Sequence, residues 1–493
     1  MGTQMSLLLS EHNVVVSLFD VSSSNIDSAS KTIDSQKPPQ KIQLFAKDYG
    51  AFVASLDKGG GGGGGSGGAR CFLLSITHGD PVDQVLDALK PHLKKDDVII
   101  DGGNEWYKNT ERRQKDLQKL GVALIGCGVS GGYQSARRGP SMSPGGDPQV
   151  LERILPQLRE WCAKDERSGE PCVAALGPAG SGHYVKMVHN GIEQGMLGVL
   201  NESWEMLFKC LHTPLDEISK IFSAWAKDGE LKNNYLVTIG ADICGRKKEK
   251  GERGHILNEI QDKVVQDADG SEGTGVWAIV EAANRHVSAP TIAAAHFLRI
   301  ASSNRAERLQ VFELIGGFIA GAKKQHVEGS EKEVIEDLRQ AVYCAFLASF
   351  VQGMNLLARA NSDEGWNVKL SEVVRIWRNG CIIRSDYIAD LIQPVYEKQE
   401  DLQNLLTSKT VVEEVKKTFP ALKRTVARGL EWDAHMPSLS ASMEYLKYCG
   451  GKQLPTQFME AQLDYFGAHS YDKKCEGPGE VKKGAHHHEW KPA

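Results

Sequence analysis

Short apolar runs closed by turn residues recur at helix-sized intervals through the first third of the chain. Val14-Val15-Val16 leading to Phe19 and Asp20 reads as a buried strand, and Cys71-Phe72-Leu73-Leu74 as a second. Val98-Ile99-Ile100, followed at once by Asp101-Gly102-Gly103, reads as a third. A helical period from Val82 to Leu93 separates the last two, and strands alternating with helices predict a parallel, doubly wound sheet. From about Gly182 the texture changes to long helical periods, as in Ile192 to Cys210 and Val334 to Ala358. The pattern breaks again near Pro455, before residues rich in Lys, Gly and His that read as a tail. The predicted fold class is α/β plus all-α, with an α/β domain over 1–179, a large helical domain over 180–450 and a C-terminal tail over 451–493.

Charge and cysteines narrow the setting. Lys and Arg total 58 against 63 Asp and Glu, a formal charge of −5 spread without a long single-sign block, so no nucleic acid or membrane partner is expected. Ten cysteines at irregular spacings, among them Cys71, Cys127, Cys162, Cys172 and Cys210, form no CxxC pair and fit a reducing cytoplasm. No apolar stretch of about 18 residues and no secretory signal are evident. The run Gly59 to Gly68, interrupted by Ser66, lacks the helix start that a phosphate cradle needs and reads as a flexible linker in a surface connection. Three adjacent residues, His486-His487-His488, cannot all face one ion in regular structure, so an exposed polar tail and no metal are expected.

The sharpest local feature is the stretch Gly182-His183-Tyr184-Val185-Lys186-Met187-Val188-His189-Asn190-Gly191-Ile192-Glu193-Gln194-Gly195. On a helix, Lys186, Asn190 and Glu193 fall at i, i+4 and i+7 with His189 beside them, while Val185, Val188, Ile192 and Met196 take another face. Spacing alone favours an exposed Lys/Glu face. A P-loop reading from Gly177 and Gly182 fails because His183 stands where that motif needs Lys.

This stretch closely resembles the catalytic helix of the 6-phosphogluconate dehydrogenase family, GHxVKMVHNGIEY. Asp101-Gly102-Gly103-Asn104, Gly126-Cys127-Gly128-Val129-Ser130-Gly131-Gly132, Gly139-Pro140-Ser141 and Pro144-Gly145-Gly146 resemble the family in order and spacing. So do Gly273-Thr274-Gly275, Trp377-Arg378, Gly380 to Ser385, and Asp464 to His469, so the likeness spans nearly the whole chain. The resemblance implies a Rossmann-like NAD(P)-binding domain, a helical substrate and dimerisation domain, and a homodimer whose exchanged tail carries His469. The implied reaction oxidises 6-phosphogluconate at C3 by hydride transfer to NADP, then releases CO2 to give ribulose 5-phosphate. Lys186 would be the base, needing a neutral amine, and afterwards the cation that polarises the ketone. Glu193 would protonate the enediol at C1. Asn104, Ser130, Gly131, Gly132, His189 and Asn190 would hold the carboxylate and hydroxyls, and Thr274, Arg299 and His469 the phosphate. Gly2, Asp20, Val21, Ser22, Ile76 and Asn104 would face the cofactor.

Three departures stand out. Aligned without gaps, Met1-Gly2 falls on the last glycine of the family's Gly-rich turn, leaving out the first strand. Either the sequence is truncated, as by a wrongly chosen start codon, or cofactor binding is impaired; the first is favoured. Where the family has Asn-Arg-Thr, the Arg gripping the 2′-phosphate, this chain has Asp20-Val21-Ser22, and Thr77 replaces a Lys. A preference shifted toward NAD is therefore expected. In the phosphate pocket Gln194, Glu272 and Leu463 replace a Tyr, a Lys and an Arg. Charge-assisted hydrogen bonds contribute roughly 1.5–3 kcal/mol each, so losing two weakens phosphate binding by about two to four decades. Three readings stay open: a working 6-phosphogluconate dehydrogenase, a divergent NAD-preferring dehydrogenase of another 3-hydroxy acid, and a catalytically silent oligomeric member.

Overall fold

Helix and strand alternate from the start. The order is α1 (Gly2–Glu11), β1 (Val16–Asp20), α2 (Ser23–Gln36), β2 (Ile42–Ala46), α3 (Tyr49–Asp57), β3 (Cys71–Leu74), α4 (Asp80–Leu89) and β4 (Val98–Asp101). It continues with α5 (Tyr107–Gln118), β5 (Ala123–Val129), α6 (Gly132–Arg138), β6 (Met142–Gly145) and α7 (Pro148–Trp161). This is a computed structural model, and it describes residues 1–57, 69–249, 252–265, 273–316, 321–325, 330–478 and 484–490. The glycine run 59–68 and Glu272 lie outside the described residues.

The strands form two sheets rather than one. β1 pairs in parallel with β2, from Val16 opposite Ile42 to Asp20 opposite Ala46. β3, β4 and β5 are parallel neighbours, and β6 returns antiparallel on β5. The parallel pairing expected for the sheet holds for β1 to β5, and β6 adds one antiparallel strand at its edge. There the chain turns back through glycines at positive φ, Gly131 at 92° and Gly139 at 111°, instead of crossing over. Neither β1 nor β3 pairs with a further strand on its free side among the described residues. Side chains bridge the interruption: Leu73 of β3 packs against two clusters, one that includes Leu7, Val16 and Ile42 and one that includes Met5, Ile100 and Ile125. On the α3 side, Phe52 stands 5.2 Å from Phe19 of β1 and 6.2 Å from Phe72 of β3, ring centre to ring centre.

Beyond the sheets the chain is helical, with α8 (Ser181–Glu205), α9 (Leu215–Lys227), α10 (Tyr235–Gly245), α11 (Thr274–Asn284), α12 (Pro290–Ser303) and α13 (Arg305–Ile315). There follow α14 (Glu331–Glu364), α15 (Leu370–Ile376), α16 (Asp386–Lys398), α17 (Lys409–Glu431), α18 (Pro437–Cys449) and α19 (Thr456–Gly467). α8 is buried on nearly all sides, against β5, β6, α11, α12 and α14. Such a helix needs apolar or satisfied residues all round, not one stripe. α14 corrects one expectation: among the described residues it is long and apolar enough to cross a membrane. Its apolar window is, however, wholly buried inside the fold.

The far end of α8 is fastened by carboxylates. Glu202 accepts the Ser438 and Leu439 N–H groups at the start of α18, at 2.6 and 2.8 Å, supplying a cap its own sequence lacks. Burial pushes the Glu202 carboxyl up to about 7, against the opposing pull of those N–H groups.

Two compact units divide the chain, Met1–Met443 and Glu444–Ala493. The second is more than a loose tail. The buried Asp464 of α19 accepts hydrogen bonds from Ser470 N at 3.0 Å, His487 Nδ1 at 2.9 Å, His488 N at 3.1 Å and Trp490 Nε1 at 2.9 Å. Those donors hold its carboxyl well below the usual carboxylate range, against burial. The histidine triplet, expected as an exposed polar tail, leaves His487 and His488 exposed but is tied down as a clasp, with His486 also donating to Glu476 at 2.6 Å.

Candidate functional site

Glycines bring α8 onto the strand ends. A Cβ at Gly182 would overlap the Gly126 and Ser143 carbonyl oxygens, and one at Gly128 would overlap the Lys186 side chain. Backbone therefore meets backbone here, and Lys186 passes across the end of β5. Lys186 is only 7 % exposed, and its Nζ donates to Ser130 Oγ at 3.1 Å. Ser130 follows β5 directly and precedes Gly131 and Gly132, both at positive φ, where the chain enters α6. A Cβ at Gly131 would strike Ser135 and the Gly380 carbonyl, so this turn admits little else.

One turn beyond Lys186, His189 is fully buried, its Nδ1 donating to Asn190 Oδ1 at 3.0 Å. Burial and then the charge of Lys186 push His189 well below the usual imidazole range, so it stands neutral. Asn190 Nδ2 donates onward to Thr274 Oγ1 at 3.1 Å, tying α8 to the first turn of α11. Glu193 is partly exposed, with its Oε2 3.8 Å from His189 Nδ1. Burial and then the Glu193 charge raise the Tyr235 phenol, marking Tyr235 as a neighbour of that carboxylate. Gln194 is buried, and its Oε1 accepts from His296 Nδ1 at 3.1 Å, one turn before Arg299 on α12.

Lys186, Ser130, Gly131, Gly132, His189, Asn190, Glu193 and Thr274 thus share one connected cluster. Asn104 follows β4 and the two glycines whose loop abuts the Ile76 loop: Gly102 N donates to Leu74 O at 2.9 Å, and a Cβ at Gly103 would lie 2.9 Å from Ile76 O. Gly2 opens α1 between the ends of β1 and β3, its Cβ position 3.9 Å from both Leu18 and Ser75. Asp20, Val21 and Ser22 lie on the same carboxyl edge, where open α/β sheets take ligands. His469 and Leu463 belong to the second compact unit.

Sequence reasoning missed the brace beneath this edge. Arg113 of α5, buried, pairs with the buried Glu105 and, through Nε at 2.8 Å, with Asp83 of α4. Glu105 also accepts Gly79 N at 2.9 Å, while Arg113 Nη2 donates to Gly79 O at 2.8 Å. The loop carrying Ile76 is thereby fixed at both backbone polarities. Trp277 of α11 closes over it, 5.0 Å from His78 and 5.7 Å from Trp106 between ring centres. No local pattern announces these partners, which meet across separate elements.

As a cofactor cradle the edge fits unevenly. The start of α1, the Ile76 loop and Asn104 suit a dinucleotide's pyrophosphate and nicotinamide end. The tip of β1 presents the Asp20 carboxylate and no cation between residues 20 and 30, which does not suit a 2′-phosphate.

Comparison with known proteins agrees with this arrangement. The profile of the NAD binding domain of 6-phosphogluconate dehydrogenase matches residues 1–177, and that of the 6-phosphogluconate dehydrogenase C-terminal domain matches 182–490. The decarboxylating 6-phosphogluconate dehydrogenase of Emericella nidulans is 48 % identical over 509 aligned residues, covering 100 % of both chains. The decarboxylating enzyme 2 of Arabidopsis thaliana is 36 % identical, over 99 % of this chain and 95 % of its own. A solved 6-phosphogluconate dehydrogenase of Plasmodium falciparum, studied in apo form and in complexes with NADP+ and with 6-phosphogluconate, superposes with a TM-score of 0.85. It is 30 % identical and covers 99 % of this chain and 98 % of its own. A Rossmann-like layer, a helical body with the Lys186 helix at their junction, and full-length similarity to those enzymes have one common meaning: the chain belongs to the family of decarboxylating 6-phosphogluconate dehydrogenases.

Proposed function

We propose that the chain oxidises and decarboxylates 6-phosphogluconate to ribulose 5-phosphate, the pentose phosphate reaction of its family, in the cytoplasm. The observation that carries this is Lys186: an amine almost wholly buried at the end of β5, on Ser130 Oγ, two turns before Glu193 on the same helix. A nicotinamide dinucleotide, NADP in the family, supplies the hydride acceptor when bound. Lys186 Nζ, neutral at that moment, takes the C3 hydroxyl proton, and as an ammonium then polarises the ketone while CO2 leaves. Glu193, reachable from solvent, returns a proton to C1 of the enediol. Ser130, Gly131, Gly132, Asn104, His189 and Asn190 orient the carboxylate and hydroxyls. The neutral state of His189 supports this: with Nδ1–H given to Asn190, Nε2 can accept from a substrate hydroxyl without a competing charge beside Lys186. Thr274, Arg299 and His469 take the phosphate. Gly2, Val21, Ser22 and Ile76 line the dinucleotide edge with Asp20. In this reading residues 1–179 bind nucleotide, 180–450 bind substrate and dimerise, and 451–493 form an exchanged tail.

At the phosphate pocket Gln194 is engaged with His296 and offers no phenol. A panel of sugar acids assayed with both nucleotides tests the reading. 6-Phosphogluconate is expected to be oxidised with CO2 release, at a KM about two to four decades above that of a pocket with two further cations. Higher kcat/KM for an unphosphorylated 3-hydroxy acid would favour the divergent dehydrogenase. No reduction of either nucleotide with any acid would favour the silent oligomeric member.

Exchange of the tail between subunits is supported by the apolar side chains that α19 leaves uncovered, Phe458 and Phe466 each 70 % exposed. Sedimentation at micromolar concentration is expected to give a dimer, and Phe458→Ser with Phe466→Ser to shift it toward monomer.

A further inference from the structure

The residue that ends β1 carries chemistry opposite to what a 2′-phosphorylated nucleotide needs. Asp20 is the last partner in the β1–β2 ladder, so its side chain stands at the carboxyl edge beside the start of α2. Its Oδ1 is held by Ser22 N at 2.8 Å and Asn25 Nδ2 at 3.2 Å, which fixes the carboxylate plane. Ser22 Oγ meanwhile caps α2 through Asn25 N at 3.4 Å. Oδ2 has no hydrogen-bond partner among the described residues, and Asp20 makes no ion pair there. The neighbouring Val21 is 59 % exposed and apolar. The next cation along the chain, Lys31, lies exposed well inside α2. Lys47, exposed just after β2, donates only its backbone N–H to Asp20 O, at 3.3 Å.

A ribose bound along this edge, with its pyrophosphate at the start of α1, brings its 2′ position to the tip of β1. A free 2′-hydroxyl can donate to the unpartnered Oδ2, whereas a phosphate of about two negative charges meets a fixed carboxylate without a compensating guanidinium. We propose that Asp20 makes this chain select the nicotinamide dinucleotide with an unmodified 2′-hydroxyl, NAD, over the 2′-phosphorylated form its family uses. This rests on the dehydrogenase reading above and deepens it.

The test is direct binding, by quenching of protein fluorescence on titrating the full chain with NADH and with NADPH. NADH is expected to bind at least about tenfold tighter. Asp20→Asn keeps both Oδ1 contacts and removes the charge; it should narrow the ratio to about threefold, and Asp20→Asn with Val21→Arg should invert it. Equal or tighter NADPH binding by the unaltered chain overturns the proposal and leaves the dehydrogenase reading standing. So does a ratio unmoved by Asp20→Asn, and so does an NADPH affinity that Lys47→Ala abolishes while Asp20→Asn leaves it unchanged. Binding of neither nucleotide overturns both.

Discussion

Lys186→Met is expected to lower kcat by about four orders of magnitude on whichever sugar acid the unaltered chain turns over fastest, the upper end of what a positioned acid–base group contributes. In the mechanism proposed for this chain two separate tasks fall on that nitrogen, proton removal and then charge stabilisation, so losing it should affect oxidation and decarboxylation together. Met fills nearly the same buried volume and leaves Ser130 Oγ with a neutral neighbour, so the fold should survive. Lys186→Arg separates the chemistry from the charge. A guanidinium remains protonated at any working pH, so it cannot start the reaction and should be almost as inactive as Met. Single-turnover kinetics with unchanged nucleotide affinity would establish that the loss is chemical. Retention of a tenth or more of kcat in either variant would remove Lys186 from the mechanism.

Arg113→Met should cost stability rather than chemistry, by about 3–5 kcal/mol, because it strands a buried carboxylate. Burial alone pushes the Glu105 carboxyl up; Arg113, the Gly79 N–H and Asn109 outweigh it and hold the group below its ordinary value. A depressed carboxyl contributes stability that is present above its unfolded pKa and lost as pH falls through the folded one. The defect should therefore be largest near neutral pH and shrink on acidification. Urea titrations at neutral pH and near pH 4 check both size and sign. Glu105→Gln added to Arg113→Met should recover part of the loss, since no buried charge is then left unpaired. A defect below about 1 kcal/mol would show that the pair bears little of the load on the Ile76 loop.

Much of this was legible from residue order. Cys71–Leu74 is the strand its four apolar residues suggest, whereas β1 starts at Val16 because Val15 is 52 % exposed and carries no ladder. The shared face of Lys186, Asn190 and Glu193 follows from helical spacing, but its burial does not. Spacing alone favoured a solvated face. What buries it is close approach at four glycines, backbone on backbone at Gly145 and Gly182 and α8 side chains on backbone at Gly126 and Gly128, where the absence of a side chain is the signal, and such absences are hard to tell from ordinary turns. The family motifs supplied the site residues, and the structure adds their partners: Ser130 for Lys186, Thr274 for Asn190, His296 for Gln194. The Arg113 brace was illegible because its acids lie 8 and 30 residues away in sequence, on different elements. The split sheet was likewise out of reach of pattern, since strand runs do not say which edges pair.

That split has an energetic corollary. Backbone hydrogen bonds make a sheet open as one body, and here no such bonds run from β1 to β3. The β1–α2–β2 lobe should therefore open as a unit of its own: its detachment breaks no sheet ladder, only packing around Leu73, Phe52 and α1 and side-chain hydrogen bonds such as Ser10 with Gln40 and Ser17 with Ser55, so its amides should exchange with solvent well before those of β4 and β5. Because Asp20 rides on that lobe, a nucleotide that grips it draws on part of its binding energy to hold the lobe shut, and the measured affinity is the intrinsic one reduced by the fraction of molecules already closed.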